Sequence, residues 1–165
     1  MNIKVEILQK TDAEQLFQFE TENRAFFETL VPSRGDNYYQ YNQFLQIMDE
    51  LLIEQTDRKS FLYLIKEEKT SKIVGRINLV DIDWDNMAVE IGYRIGEPYL
   101  KMGLATKALS KILIETEKMN IRTIYAKTTY NNLGSQKVLE NNGFLRQIKN
   151  EDLEFIRYVF SENNM

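Results

Sequence analysis

The chain has no cysteine and no histidine among its 165 residues. Without cysteine there is no disulfide framework, no thiolate nucleophile and no sulfur-ligated metal. Without histidine the commonest metal ligand and the commonest general base are both missing, and no metal is expected. Proton transfers must fall to carboxylates, phenols, amines, hydroxyls, the backbone or water. Basic excess is missing too. The 21 Lys and Arg stand against 25 Asp and Glu, a net charge of −4 with no basic stripe, so nucleic acid is not an expected partner. A mildly acidic surface suits a cationic acceptor, and it equally serves solubility. No run reaches the roughly 20 apolar residues of a membrane span. The start, Met1 to Glu6, has no signal-peptide core and reads as a strand, so the expected location is cytoplasmic.

What is present is ordinary for a folded chain: 43% hydrophobic and 28% charged residues. The length predicts a single domain over 1–165, large enough to bury ~70% of its unfolded surface. A strand is expected over Lys4 to Leu8. Thr11-Asp12-Ala13-Glu14 then has the form of a capping box, opening a helix with Leu16, Phe17 and Phe19. Asn23 to Asp36 reads as a turn-rich passage, followed by a long helix carrying Tyr41, Phe44, Met48 and Leu52 on one stripe. Phe61 to Lys66 and Ile73 to Val80 read as strands joined by a polar loop, and Ala88 to Ile95 as a third. After a helix come a strand over Arg122 to Lys127, a helix over Leu133 to Glu140, and a final hairpin over Phe144 to Ile148 and Glu154 to Phe160. The order β-α-α-β-β-β-α-β-α-β-β argues α+β, one mixed sheet with helices on both faces.

Two segments carry chemistry. Leu100 to Thr106 joins the strand ending at Ile95 to an amphipathic helix with Leu104, Ala108, Leu109, Ile112 and Leu113. A strand that feeds a glycine-bearing turn and a helix offers unpaired backbone N–H groups at a positive dipole end, a setting that binds phosphate. Gly103 lets an anion approach the backbone closely. The same features also describe a plain helix cap. The second segment, Asn132 to Phe144, opens another helix after the strand that ends at Lys127.

Together these segments resemble the GNAT superfamily of N-acetyltransferases. The first is similar to its pyrophosphate loop, Gln/Arg-x-x-Gly-x-Gly/Ala, with Gly103 and Ala105 in the last two fixed places. The second is similar to the signature Asn-x-x-Ser/Ala-x-x-x-Leu/Tyr-Glu-x-x-Gly-Phe, through Asn132, Ser135, Leu139, Glu140, Gly143 and Phe144. Asp12 to Leu16, Asn23 to Phe27 and Pro32 resemble the branch that holds the ribosomal-protein-alanine N-acetyltransferases. The likeness implies a mixed, mostly antiparallel central sheet and acetyl transfer from acetyl-coenzyme A to a primary amine. The acceptor it favours is a protein or peptide α-amine, attacking directly in a ternary complex. A small amine acceptor, such as a polyamine or aminoglycoside, stays open, as does a non-catalytic coenzyme A binder. Monomer and homodimer are both left open. Two departures stand out: Leu100 and Lys101 replace the usual Gln/Arg and glycine, and Leu139 fills the place of a tyrosine that protonates the leaving thiolate.

On that likeness, the pyrophosphate accepts from the backbone of Met102, Gly103, Leu104, Ala105 and Thr106, with Lys101 at the rim. The pantetheine arm runs beside Tyr93, Arg94 and Ile95, and a backbone N–H there polarises the thioester carbonyl. Asn132 either ties the arm or caps its helix. Ser135 is the leading proton donor to the thiolate in place of Leu139, with Tyr130 second. Glu90 shares a strand face with Gly92 and Arg94. It is either a general base, directly or through water, or a partner of Arg94 or another cation on a half-exposed face. Glu151, Asp152 and Glu154 compete as carboxylates. Asp81 to Asp85 begins like a calcium loop, but Asn86 and Gly92 occupy the places that need glycine and glutamate, which leaves a solvated turn. Trp84 within it is a candidate for acceptor recognition or for packing.

Overall fold

Side chains alternate across the strand Phe61–Glu67, and this alternation divides the core in two. Tyr63 and Ile65 pack with Ile77, Leu79, Leu109 and Ile112 on one face, whereas Leu62 and Leu64 pack with Leu16, Phe19, Phe44 and Met48 on the other. The computed structural model describes residues 1–148 and 154–161. In chain order its elements are β1 (Ile3–Ile7), α1 (Ala13–Glu22), α2 (Arg24–Glu28), α3 (Tyr41–Thr56), β2 (Phe61–Glu67), β3 (Ile73–Asp83), β4 (Ala88–Ile95), α4 (Leu104–Lys118), β5 (Thr123–Thr129), α5 (Leu133–Asn141), β6 (Leu145–Arg146) and β7 (Phe155–Ser161). The sheet order is β1-β2-β3-β4-β5-β7-β6, antiparallel except for the parallel pair β4 and β5. The expected α+β class, the mixed sheet and the helices on both faces are all present.

That parallel pair is short. Ala88, Val89 and Glu90 lie opposite Thr123, Ile124 and Tyr125, and the pairing stops there. Beyond it β4 stays with β3 as far as Ile95 opposite Gly75, while β5 stays with β7 as far as Thr129 opposite Phe155. Each strand follows its antiparallel partner, so the sheet splits into a V between Ile91–Ile95 and the second half of β5. The edge of β4 facing the V is left without a neighbouring strand.

Three local expectations are corrected. The capping box is two residues earlier than Thr11 and Glu14: a 3-10 turn at Lys10–Asp12 precedes α1, and the Gln9 N–H donates to Asp12 Oδ2 at 2.8 Å. Asp12 is drawn there because its other oxygen meets Lys66 Nζ at 2.8 Å. The passage after Asn23 holds a further helix, α2, whose ends are tied by Arg24 Nε and Glu28 Oε1 at 3.0 Å. Strand β3 continues to Asp83, whose carboxylate accepts from the backbone and side chain of Asn86 at 3.0 and 2.8 Å and closes the turn as expected. No helix among the described residues is long and apolar enough to cross a membrane.

Candidate active site

Where β4 leaves β5, a cleft of about 410 Å³ opens between Tyr93, Arg94 and Ile95 of β4 and Asn132, Ser135 and Val138 around α5. Its outer end reaches the turn before α4. Lys101 and Gly103 both take left-handed backbone conformations there, with φ of 62° and 74°. Gly103 is the N-cap of α4 and brings no side chain to cap it. The first N–H groups of the helix, through Leu104, Ala105 and Thr106, therefore lack intrahelical acceptors and face an opening. A Cβ built on Gly103 meets no atom within 4 Å, so this space is free. Lys101, Gly103, Leu104, Ala105 and Thr106 line the cleft; Met102 does not, and its side chain is exposed.

A second cleft of about 460 Å³ is lined by residues of β3, β4, β5, α5 and β7 and of the passage after α2. Arg34, Arg76, Arg94 and Lys127 line it, with Asp81 and Glu90. Tyr93, Arg94 and Ser135 line both clefts, so the two meet at the V.

Ser135 is held from two sides. Its N–H donates to the Asn132 side chain at 3.1 Å, which identifies Asn132 as the cap of α5. Its hydroxyl lies 2.8 Å from the Tyr93 hydroxyl, which also reaches the Ser135 carbonyl oxygen at 3.3 Å. Burial pushes the Tyr93 phenol up to about 12, against a smaller downward pull from Ser135. The phenol therefore stays protonated throughout the neutral range. The family likeness implies a role for Tyr93 only through its backbone. A tyrosine on an apolar strand face was the available signal, because a buried phenol needs a polar partner. Leu139 is buried in the core beneath this pair. Tyr130 lines neither cleft, and its ring lies 5.8 Å from the Arg146 guanidinium.

Glu90 lies on the wall of the second cleft, opposite Val80 of β3. Its alternative role as a partner of Arg94 is not realised, because Arg94 turns to Glu20, 3.8 Å away. Glu20 is fully buried and also paired with Arg76. Burial raises its carboxyl, but Arg76, Arg34 and Arg94 outweigh that and hold it below the usual range. Burial, then repulsion from Arg34, lowers Arg94 to about 10. Of the competing carboxylates, Glu154 is exposed and lines neither cleft, while Glu151 and Asp152 lie outside the described residues. Trp84 packs: its Nε1 donates to the Arg58 carbonyl at 2.8 Å, and the Arg58 guanidinium lies 4.3 Å from its ring centre. Among the described residues no cluster of three or more metal-ligating side chains is found.

Residues 3–145 match the family described as the acetyltransferase (GNAT) domain. A probable N-acetyltransferase of Bacillus subtilis (strain 168), YjcK, is 26% identical over 147 residues, covering 88% of this chain and 81% of the relative. The fold is similar to that of the ribosomal-protein-S5-alanine acetyltransferase from Vibrio fischeri, with a TM-score of 0.88 at 19% identity over 99% of this chain and 94% of the other. It is also similar to the microcin C7 self-immunity acetyltransferase MccE, solved with acetyl-CoA and AMP, with a TM-score of 0.81 at 20% identity over 96% and 92%. A match across most of the chain, on a sheet split at the place where the motifs converge, makes this chain a member of the GNAT acetyltransferase family and an N-acetyltransferase.

Proposed function

We propose that the enzyme transfers the acetyl group of acetyl-coenzyme A to a primary amine by direct attack in a ternary complex. The observation that carries this reading is the meeting of the two clefts at Tyr93, Arg94 and Ser135, where the sheet splits. The pantetheine arm fills the V as a strand would, pairing with the free edge of β4 from Tyr93 to Ile95. The pyrophosphate accepts from the N–H groups at the start of α4, with Lys101 at its rim. Backbone N–H groups of the β4 edge stabilise the oxyanion that forms on the thioester carbonyl.

In this scheme Glu90, through water, first takes a proton from the ammonium; the neutral nitrogen attacks the carbonyl carbon, the C–S bond breaks, and the second nitrogen proton leaves to solvent. The departing thiolate takes the Ser135 hydroxyl proton, the Tyr93 phenol replaces it, and water entering the cleft reprotonates the phenol. With Tyr93 donating to Ser135, the serine hydrogen is left free to point at sulfur. The second departure from the family pattern thereby finds a physical account: the phenol absent at Leu139 is supplied from β4. For the acceptor, a protein or peptide α-amine is favoured by the similarity to the S5-alanine enzyme. An α-amine of pKa ~8 also demands less of a carboxylate base than a lysine near ~10. Thiol release from acetyl-coenzyme A, measured with alanine-starting peptides and with polyamines, tests the reading. Faster release with the peptides is expected; release with polyamines alone would move the acceptor to small amines, and calorimetric binding of acetyl-coenzyme A without release would mark a non-catalytic binder.

A further inference from the structure

The second cleft is electrically lopsided. At one end Arg76 on β3 and Arg94 on β4 lie directly opposite each other, and Arg34 joins them from the passage after α2. The carboxylate these three cations share is Glu20. Arg76 takes its Oε1, Arg94 stands 3.8 Å from Oε2, and Oε2 accepts no hydrogen bond. Arg34 donates to the Tyr38 hydroxyl at 3.1 Å, lies 4.9 Å from the Tyr38 ring centre, and has no carboxylate partner among the described residues. The nearby acids Glu28 and Asp36 are held by Arg24, at 3.0 and 2.6 Å. The acids of the cleft itself, Asp81 and Glu90, lie toward the other end. Glu90 is four residues along β4 from Arg94, about 13 Å at strand spacing.

Buried Arg76 and half-buried Arg94 share one carboxylate, and exposed Arg34 adds a third positive charge beside them, so a further anion is attracted there. The gain is largest at half-buried Arg94, and a cationic ligand at this end is repelled. Such an arrangement sorts acceptors by charge. We propose that the acceptor amine carries an anionic oxygen group, a carboxylate or a phosphate, which seats on Arg34 and Arg94 while the amine lies toward Glu90. This inference rests on the proposed transfer reaction, with the acceptor entering by the second cleft, which Glu90 lines. It selects acidic N-terminal peptides or small anionic amines, and it disfavours polyamines. Guanidinium groups give the paired hydrogen bonds that both oxyanions accept, so the shared chemistry is fixed before the source of the anion.

The test compares matched acceptors on the full chain: Ala-Glu against Ala-Gln peptides, aminoethyl phosphate against ethanolamine, and spermidine. Each is followed by thiol release and, separately, by calorimetric binding to the protein loaded with coenzyme A. At least a ten-fold preference in kcat/KM for one anionic member over its neutral partner is expected, and the pair that shows it separates peptide from small amine. Arg34→Gln should shrink that ratio at least five-fold, and Arg34→Lys should keep more of it. If neutral amines or spermidine turn over as well as the anionic ones, the inference is overturned while the transferase reading stands. Should no amine turn over, the transferase reading of this cleft fails, and binding still decides. Anionic amines that bind wild type and not Arg34→Gln support the site; equal binding to both sinks it.

Discussion

The phenol of Tyr93 on β4 and the hydroxyl of Ser135 on α5 lie 2.8 Å apart, bridging the two sides of the V where the sheet splits. The contact joins residues 42 positions apart in the chain. Both residues line the first cleft and the second. Burial keeps the phenol protonated, so it can donate to the Ser135 oxygen throughout the neutral range.

Ser135→Ala should lower kcat about 10²-fold, the low end for a general acid, with little change in affinity for acetyl-coenzyme A. Tyr93→Phe should lower kcat by about ten-fold or more, since the serine loses the group that restores its proton. If the two act as one unit, the double variant is no worse than Ser135→Ala alone. Steady-state kinetics on the three variants checks this. Activity within about three-fold of wild type in both single variants would transfer the step to solvent and leave Ser135 as part of the helix cap.

Glu20→Gln should cost about 3–5 kcal/mol of stability, because it leaves buried Arg76 without its counter-charge. Acid should mimic part of this loss. The Glu20 carboxyl sits below its ordinary value of 4.5 in the folded chain, so its contribution is fully present above that value and lost as pH falls through the lower folded one. Urea unfolding across that range should show a steep decline in wild type and a flatter one in Glu20→Gln. Parallel curves would mean that Glu20 does not govern the acid limb.

Periodicity makes the strands and long helices legible, because those signals repeat every two or three to four residues, and local motifs mark both segments that line the first cleft. Shorter-range features were less legible. Five residues, Arg24–Glu28, are too few for helical periodicity to register, and their ends are tied by a salt bridge. The Thr11–Glu14 pattern was a sound capping signature, but Asp12 had a stronger claim in buried Lys66. Least legible was the arginine cluster. Its members come from α1, the passage after α2, β3 and β4, and nothing local marks Glu20 as their common partner. The same holds for Tyr93: alternation assigned it to the apolar face, and only the approach of α5 gave its hydroxyl a task.

Glu90→Gln should depress turnover more at neutral than at alkaline pH. An α-amine with pKa ~8 is mostly protonated near neutrality, and above ~9 it is already neutral, so a base then matters less. A pH profile of kcat/KM on one acceptor checks the prediction. Glu154→Gln, outside both clefts, should leave the profile unchanged. A uniform loss across pH in Glu90→Gln would reassign Glu90 to shaping the cleft wall.

Gly103→Val should weaken acetyl-coenzyme A binding by about 2 kcal/mol, roughly 30-fold, as if one or two charge-assisted hydrogen bonds were lost. Strain complicates this substitution. Gly103 has φ of 74°, where a side chain costs ~1–2 kcal/mol whatever room it has. A fall in stability alone would therefore say nothing about phosphate. Gly35 provides a control for strain: its φ is 85° with ψ of 160°, a region that only glycine visits readily, an added Cβ there also meets nothing within 4 Å, and it lines neither cleft. Gly35→Val should lose at least as much stability and keep its cofactor affinity. Calorimetry on both folded variants at low temperature separates the two effects. Equal affinities would reduce the Gly103 turn to a helix cap; a loss confined to Gly103→Val would locate the pyrophosphate above it.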